Sequence, residues 1–299
     1  MNEKIYIGYA LDQNIRSQCS SGGVATALIK YLIEKGRIKG AWLAKYEKNL
    51  KHKMYFVNKA EDVIKYRGSV YCPVDFSPVW QFINNNDEKV AIVGLPCNFR
   101  ALGDRPGIFK IGLFCGGVTD IRVLEYLTMR KKIKPEDVLN LGYREGGWLN
   151  RKIVATLKNK KEVLLEKKAS FFSRCLANFC FGGSSFLNSC NLCRDHRASQ
   201  ADIALGDAWL PEIMNKDSIG TNLIIVRTEK GAQLLNQAVR DRVIKLFLVG
   251  PDDLARSQGK IQVKRFFQFM NKHFPFKFVF ALYCFYYPMS KIWEKIRKY

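Results

Sequence analysis

The chain has 299 residues, 47% of them apolar and 25% charged, with a formal net charge of +22 at pH 7. That composition excludes a disordered or fibrous chain and leaves length for one large α/β domain, or two ordinary ones, with a real core. Nine cysteines, an odd number, argue against a disulfide framework. No signal-peptide pattern precedes the strand-like Ile5-Tyr6-Ile7-Gly8-Tyr9, so the expected setting is a reducing cytosol in which cysteines serve metal or redox chemistry. The positive balance predicts a field that attracts nucleic acid, anionic lipid or acidic substrates, or else a solvated basic surface. Nucleic-acid binding is disfavoured, because no recognisable module is present and aromatic residues interleave with basic ones only in the tail.

Strand-like β-branched runs alternate with helical segments along the chain. Strands are predicted over residues 4–9, 38–46, 53–57, 89–93, 109–114, 138–143, 152–157, 202–205 and 222–227. Helices are predicted over 23–35, 76–84, 121–132, 171–179 and 231–243, where apolar residues recur every three or four positions. The alternation implies an α/β fold with a mixed sheet or sheets flanked by helices. Antiparallel pairing is expected where 152–157 and 162–165 flank the turn-like Lys158-Asn159-Lys160-Lys161. The expected organisation is one body over residues 1–250 and a basic, aromatic-rich helical extension over 251–299.

That extension holds ten Lys or Arg after residue 255 against one acid, Glu294. Its aromatic run, Phe276 to Tyr287, is shorter than the roughly 20 apolar residues that span a bilayer. It suits either a helix packed on the core or a segment lying on an anionic membrane surface, which would put the protein peripherally at the inner face of the membrane.

Ser20-Ser21-Gly22-Gly23, followed by the helical Val24 to Leu32, is the first phosphate-type signal. Hydroxyls and glycine N–H groups at a helix start form an anion cradle, although the same residues also make an ordinary N-cap turn. The pattern is neither a Walker motif nor Gly-x-Gly-x-x-Gly, which argues against nucleotide hydrolysis and ordinary nicotinamide binding. A second polar turn, Arg67-Gly68-Ser69, sets an arginine suited to clamping pyrophosphate between tyrosines at 66 and 71. Asp207 ends the strand-like Asp202 to Leu205 run, as an acceptor for a cofactor or substrate or as a turn residue.

Cysteines give the sharpest signal. Cys190 and Cys193 form a Cys-x-x-Cys pair, which is half of a tetrahedral sulfur site. Cys97 and Cys115 each follow an apolar strand at a tight turn, Leu95-Pro96-Cys97-Asn98 and Phe114-Cys115-Gly116-Gly117. Active residues of parallel sheets gather at the carboxyl ends of strands, so both sulfurs are expected on one rim. Four thiolates of this kind can hold an iron–sulfur cluster or a zinc ion. The zinc reading is a zinc-stabilised α/β transferase or binding protein without redox activity.

Taken in order, these pieces resemble the coenzyme F420 hydrogenase/dehydrogenase beta-subunit family of iron–sulfur flavoproteins. The matching residues are Ser20 to Val24, Tyr66 to Ser69, Gly94 to Cys97, Cys115 to Val118, Tyr143-Arg144 before Gly147-Trp148, Cys190 to Cys193, and Ala201 to Ile203 with Gly206 to Trp209. The resemblance implies an oxidoreductase carrying FAD and a [4Fe-4S] cluster. FAD would be held by the Ser20–Gly23 and Arg67–Ser69 turns, and the cluster by Cys97, Cys115, Cys190 and Cys193, with Cys180 in reserve. No side chain is singled out as the proton donor.

Only about 19 residues precede the first turn, where many relatives carry a ferredoxin-like segment, which implies a separate electron-donor protein. Asn98, Gly116 and Ala208-Trp209-Leu210 depart from the family pattern on the presumed substrate side, so the resemblance leaves the two-electron carrier or substrate unfixed. Short bacterial members of this type are associated with surface-polysaccharide synthesis.

Overall fold

Two strands, Ile203–Asp207 (β10) and Asn222–Val226 (β11), show how this sequence builds its core. Alternate residues leave opposite faces of a strand. Ile203, Leu205, Ile224 and Val226 enter one apolar cluster, while Ala204, Leu223 and Ile225 enter another on the opposite face. Strands covered on both faces read as continuous apolar runs rather than alternating ones. The computed structural model describes residues 3–145, 147–149, 152–167, 187–258 and 282.

Seven further strands join these two: Lys4–Ala10 (β1), Gly40–Tyr46 (β2), His52–Val57 (β3), Val74–Asp75 (β4), Val90–Gly94 (β5), Ile108–Leu113 (β6) and Ile244–Val249 (β12). Together they form the main sheet in the order β12-β1-β11-β10-β6-β5-β2-β3-β4. Helix Val24–Glu34 (α2, after the short Gln13–Gln18, α1) lies on one face with Glu229–Arg240, burying Leu28, Ile29, Leu234 and Leu235 there. Helices Ser77–Asn85 (α3) and Pro96–Leu102 (α4) cover the other, burying Val79, Ile83, Phe99 and Leu102. Val138–Glu145 (β7), Lys152–Leu157 (β8) and Glu162–Lys167 (β9) make a separate three-stranded antiparallel sheet, which packs with helix Arg122–Arg130 (α5). The α/β class with a mixed sheet flanked by helices is therefore as expected, and so is the hairpin around Lys158–Lys161, where the Leu157 N–H donates to the Lys161 carbonyl at 2.9 Å.

Strand direction decides where function can collect. β2, β5, β6 and β10 are parallel neighbours, and β1 is antiparallel to β11, which is antiparallel to β10. The carboxyl ends of β1, β2, β5, β6 and β10 thus share one edge, the rim where α/β sheets place their ligands. Helix Pro251–Gln258 packs back on this body, with Leu254 in the core. Leu282 packs against the cluster under the small sheet. The predicted helix over 171–179, Cys180 and the rest of the basic tail lie outside the described residues. No helix among the described residues is long and apolar enough to cross a membrane.

Candidate functional site

Pro96 begins α4 directly after β5, as the missing N–H of proline permits at the first helical position, so Cys97 sits in a first helical turn rather than an open loop. The helix is drawn onto the rim by Phe99, which is fully buried. Its ring lies where Cβ atoms on Gly94 and Gly112 would come within 3.2 and 3.6 Å, and these two glycines pair across β5 and β6. Cys97 is left exposed above them.

Cys115 leaves the end of β6 and is tied on both sides to the segment after Cys193. Its N–H donates to the His196 carbonyl at 3.0 Å, and its own carbonyl lies 2.9 Å from His196 Nδ1. A carbonyl only accepts, so Nδ1 carries the proton and Nε2 is the second position of that ring. Cys190 lies in the short helix Asn188–Asn191, where its sulfur accepts from the Val118 N–H at 3.3 Å. Cys193 donates to the Asp195 carbonyl at 3.3 Å.

Two of the four thiols, Cys97 and Cys115, are shifted upward. Burial, the larger cause, pushes Cys115 up to about 12, and Cys190, Cys97 and Cys193 push in the same direction. Cys97 is raised first by burial and then by Cys190 and Cys193. Of the two remaining described cysteines, Cys19 is buried behind the same cleft wall, donating to Thr26 Oγ1 at 3.3 Å, and Cys72 is buried under the small sheet.

Among the described residues no three His, Cys, Asp or Glu side chains converge closely enough to hold one metal ion. By their chemistry the four thiols, with a backbone N–H directed at the Cys190 sulfur, are donors of the kind that hold an iron–sulfur cluster.

Cys115 also lines a cleft of about 920 Å³ on the rim, and so do Ser20, Ser21, Gly23, Arg67, Gly68, Ser69 and Asp207. The two polar turns are joined across 49 positions, because Ser20 Oγ accepts from the Ser69 N–H at 2.9 Å. Ser21 Oγ donates to the Thr221 carbonyl, and Asn222 Oδ1 takes the first amide of α2, from Val24. Gly22 is the pivot of this packing. A Cβ there would stand 2.8 Å from the Gly8 oxygen and 2.9 Å from the Asn222 nitrogen. Gly23 adopts φ +74°, a left-handed conformation that favours glycine. The next amides of α2, at Ala25 and Thr26, lack intrahelical partners and belong to residues that line the cleft. Arg67 spends Nε on the Gln18 carbonyl and Nη1 on that of Ile64, which fixes the second turn against the first.

Asp207 lies on the cleft wall, where both carboxylate oxygens accept from Arg144 Nη1, at 3.1 and 2.8 Å. Its backbone carbonyl accepts from Ser257 and Gln258. Trp209 stacks on the fully buried Trp148 with ring centroids 5.3 Å apart, and the Arg144 guanidinium stands 5.8 Å from the Trp209 ring. Sequence reasoning assigns no role to Arg144, Trp148 or Trp209. The signals for them are the Tyr143-Arg144 and Gly147-Trp148 pattern and, for Trp209, the Gly206 to Trp209 piece, but the partner of Arg144 is 63 positions away.

Residues 5–81 match the family described as coenzyme F420 hydrogenase/dehydrogenase, beta subunit N-term, and residues 87–249 match its counterpart for the C terminus of the same beta subunit. The chain is 27% identical over 267 residues to the F420-dependent formate dehydrogenase 1 subunit beta of Methanococcus maripaludis, a match covering 85% of this chain and 64% of that one. It is 29% identical over 253 residues to the coenzyme F420-dependent sulfite reductase of Methanocaldococcus jannaschii, covering 79% of this chain and 37% of that one. The chain thus spans less than two thirds of the length of either relative. Its fold is similar to a chain of the F420-reducing [NiFe] hydrogenase complex from Methanosarcina barkeri, with a TM-score of 0.63 at 20% identity over 90% of each chain. With both family segments matched in order along one sheet, the chain belongs to the coenzyme F420 hydrogenase/dehydrogenase beta-subunit family.

Proposed function

We propose that the chain is an oxidoreductase subunit that passes electrons between a [4Fe-4S] cluster, held by Cys97, Cys115, Cys190 and Cys193, and an FAD held in the adjoining cleft. The observation that carries this reading is the seam that joins the cysteine segments, where the Val118 N–H donates to the Cys190 sulfur and His196 is bound on both sides of Cys115, with Cys115 on the wall of the cleft. When bound, such groups supply single-electron exchange at the cluster and two-electron, hydride chemistry at the flavin.

The chain's own residues bind, orient and shield. The first-turn amides of α2 and the Ser20 hydroxyl offer donors to a phosphate, aided by the helix dipole. Arg67 adds positive charge beside them. Trp209, braced from behind by the buried Trp148, walls the cleft with aromatic surface, and His196 keeps Nε2 for a proton that accompanies the electrons. Leu192, between the paired cysteines, is 85% exposed, and Cys97 is exposed in the first turn of α4. That apolar opening near the thiols supports docking of a separate iron–sulfur donor protein.

The acceptor is a two-electron carrier or substrate. The names of the relatives favour a deazaflavin, while the resemblance to short bacterial members favours a setting in surface-polysaccharide synthesis. Anaerobic purification, with iron, sulfide, zinc and flavin measured on one sample, tests the reading. About four irons and four sulfides per chain, with one flavin, are expected. Stoichiometric zinc without iron or flavin overturns it.

A further inference from the structure

Arg144 is a buried cation whose hydrogen bonding is incomplete. Its side chain is only 4% exposed, and Nη1 alone serves Asp207. Nε and Nη2 are buried without a hydrogen bond of ordinary geometry, while the Tyr71 hydroxyl also interacts with the guanidinium. Removing charged donors from water without partners costs several kcal/mol, and buried polar groups in native proteins are nearly always satisfied. The residue lines the cleft together with Tyr71, Trp209 and Asp207. The open space that Arg144 borders is the cleft, and an acceptor bound there would meet the guanidinium.

The neighbours describe that acceptor. A guanidinium is planar and forked, and it matches an edge that offers adjacent acceptor atoms. The Trp209 ring, braced by Trp148, provides a flat apolar wall beside it. Asp207 already accepts from the guanidinium and repels a fully formed carboxylate or phosphate, whereas a diffuse charge spread over a ring is repelled less. A pyrimidinedione ring meets these conditions. It presents adjacent N1 and C2=O acceptors, and on taking up two electrons and one proton it carries one negative charge along that edge.

We propose that Arg144 is the subsite for the pyrimidinedione edge of a flavin-type ring, with Asp207 as the residue that positions its guanidinium. This rests on the reading of the cleft as a flavin site. The same ring chemistry has two sources, the resident flavin or an incoming deazaflavin substrate, and the experiment separates them. In either case the cation is present before the ring is reduced and favours the reduced, anionic form over the oxidised one.

The test uses the full chain loaded with FAD, with the potential of the bound flavin and the dissociation constant of a soluble 5-deazaflavin as readouts. If the wild-type chain binds no flavin, the functional reading itself fails, before any variant is made. With flavin bound, Arg144→Met and Arg144→Gln are expected to weaken the reduced ring at least tenfold relative to the oxidised ring. For a two-electron couple this is a fall of about 30 mV.

Arg144→Lys, which keeps the charge but not the fork, is expected to lose less. If the flavin potential holds while deazaflavin affinity falls tenfold or more, the subsite belongs to the substrate ring and the proposal stands in that form. If both readouts match wild type in a folded variant, the proposal is overturned. Should the single variants fail to fold because Asp207 is left buried without its partner, the double variant R144M/D207N removes both charges and is read in the same way.

Discussion

His196 and Cys115 hold each other by two backbone-directed contacts, a ring nitrogen 2.9 Å from one carbonyl and an amide 3.0 Å from the other. The pair stitches the exit of β6 to the segment that follows the Cys-x-x-Cys pair, so the two halves of the thiol set depend on a common seam. Loss of the Cys115 sulfur is therefore expected to lower bound iron from about four per chain to less than about one. Cys72→Ser, whose sulfur lies under the small sheet, is expected to leave iron unchanged. Iron and acid-labile sulfide assays on anaerobically purified variants check this, and equal iron in both would refute the ligand assignment.

Ser20→Ala removes the acceptor that joins the two polar turns. A net hydrogen bond is worth about 0.5–1.5 kcal/mol, so FAD affinity is expected to drop about two- to tenfold while the fold is retained. Fluorescence titration of apoprotein with FAD measures it. A variant that binds FAD as well as wild type would show that the turns do not cooperate in the site.

Gly22→Ala tests the packing beneath the same turn. The added Cβ meets the Gly8 backbone oxygen and the Asn222 backbone nitrogen at 2.8–2.9 Å, and neither atom can rotate away. Overpacking of this kind costs about 1–3 kcal/mol, which lowers Tm by about 2–5 °C for a chain of this size. At Gly250 a Cβ meets nothing within 4 Å, so Gly250→Ala is the matched control and should melt within about 2 °C of wild type. Thermal melts of the two variants side by side decide it.

His52 predicts an acid-sensitive window. The ring is buried, with Nε2 3.0 Å from the Tyr143 hydroxyl, and burial lowers its pKa to about 4 from 6.5. Between those values the unfolded chain binds the proton and the native one does not. Stability is thus complete above about pH 6.5 and is lost as the pH falls through 4, by on the order of 3 kcal/mol. Denaturant midpoints of wild type and His52→Phe at pH 7 and 4.5 check the sign, because the variant should lose less stability than wild type over that interval.

Much of this is legible in the chain because it depends on local pattern. Apolar runs ending in Cys97, Cys115 and Asp207 mark strand ends, and parallel pairing of β5, β6 and β10 brings those ends to one rim. Other features depend on partners far apart in sequence. β12 escapes the sequence pattern because its edge position leaves Phe247 and Leu248 exposed, with weak alternation. Helix α4 reads as a turn in the sequence, although Pro96 at its first position is a helix-start signal. Asp207 reads as an acceptor for a ligand or as a turn residue, whereas both its oxygens accept from Arg144, a cation on a different sheet.

The placement of β1 has a consequence for how this gene product can be divided. The two family segments part between residues 81 and 87, which invites a cut there. Yet β1, from the first segment, is inserted between β11 and β12 of the second. Synthesised apart, the first piece would carry an unpaired strand and the second an open slot, both prone to adventitious pairing. The halves are recognisable by ancestry but not by folding, and only co-produced fragments able to reassemble would restore the rim.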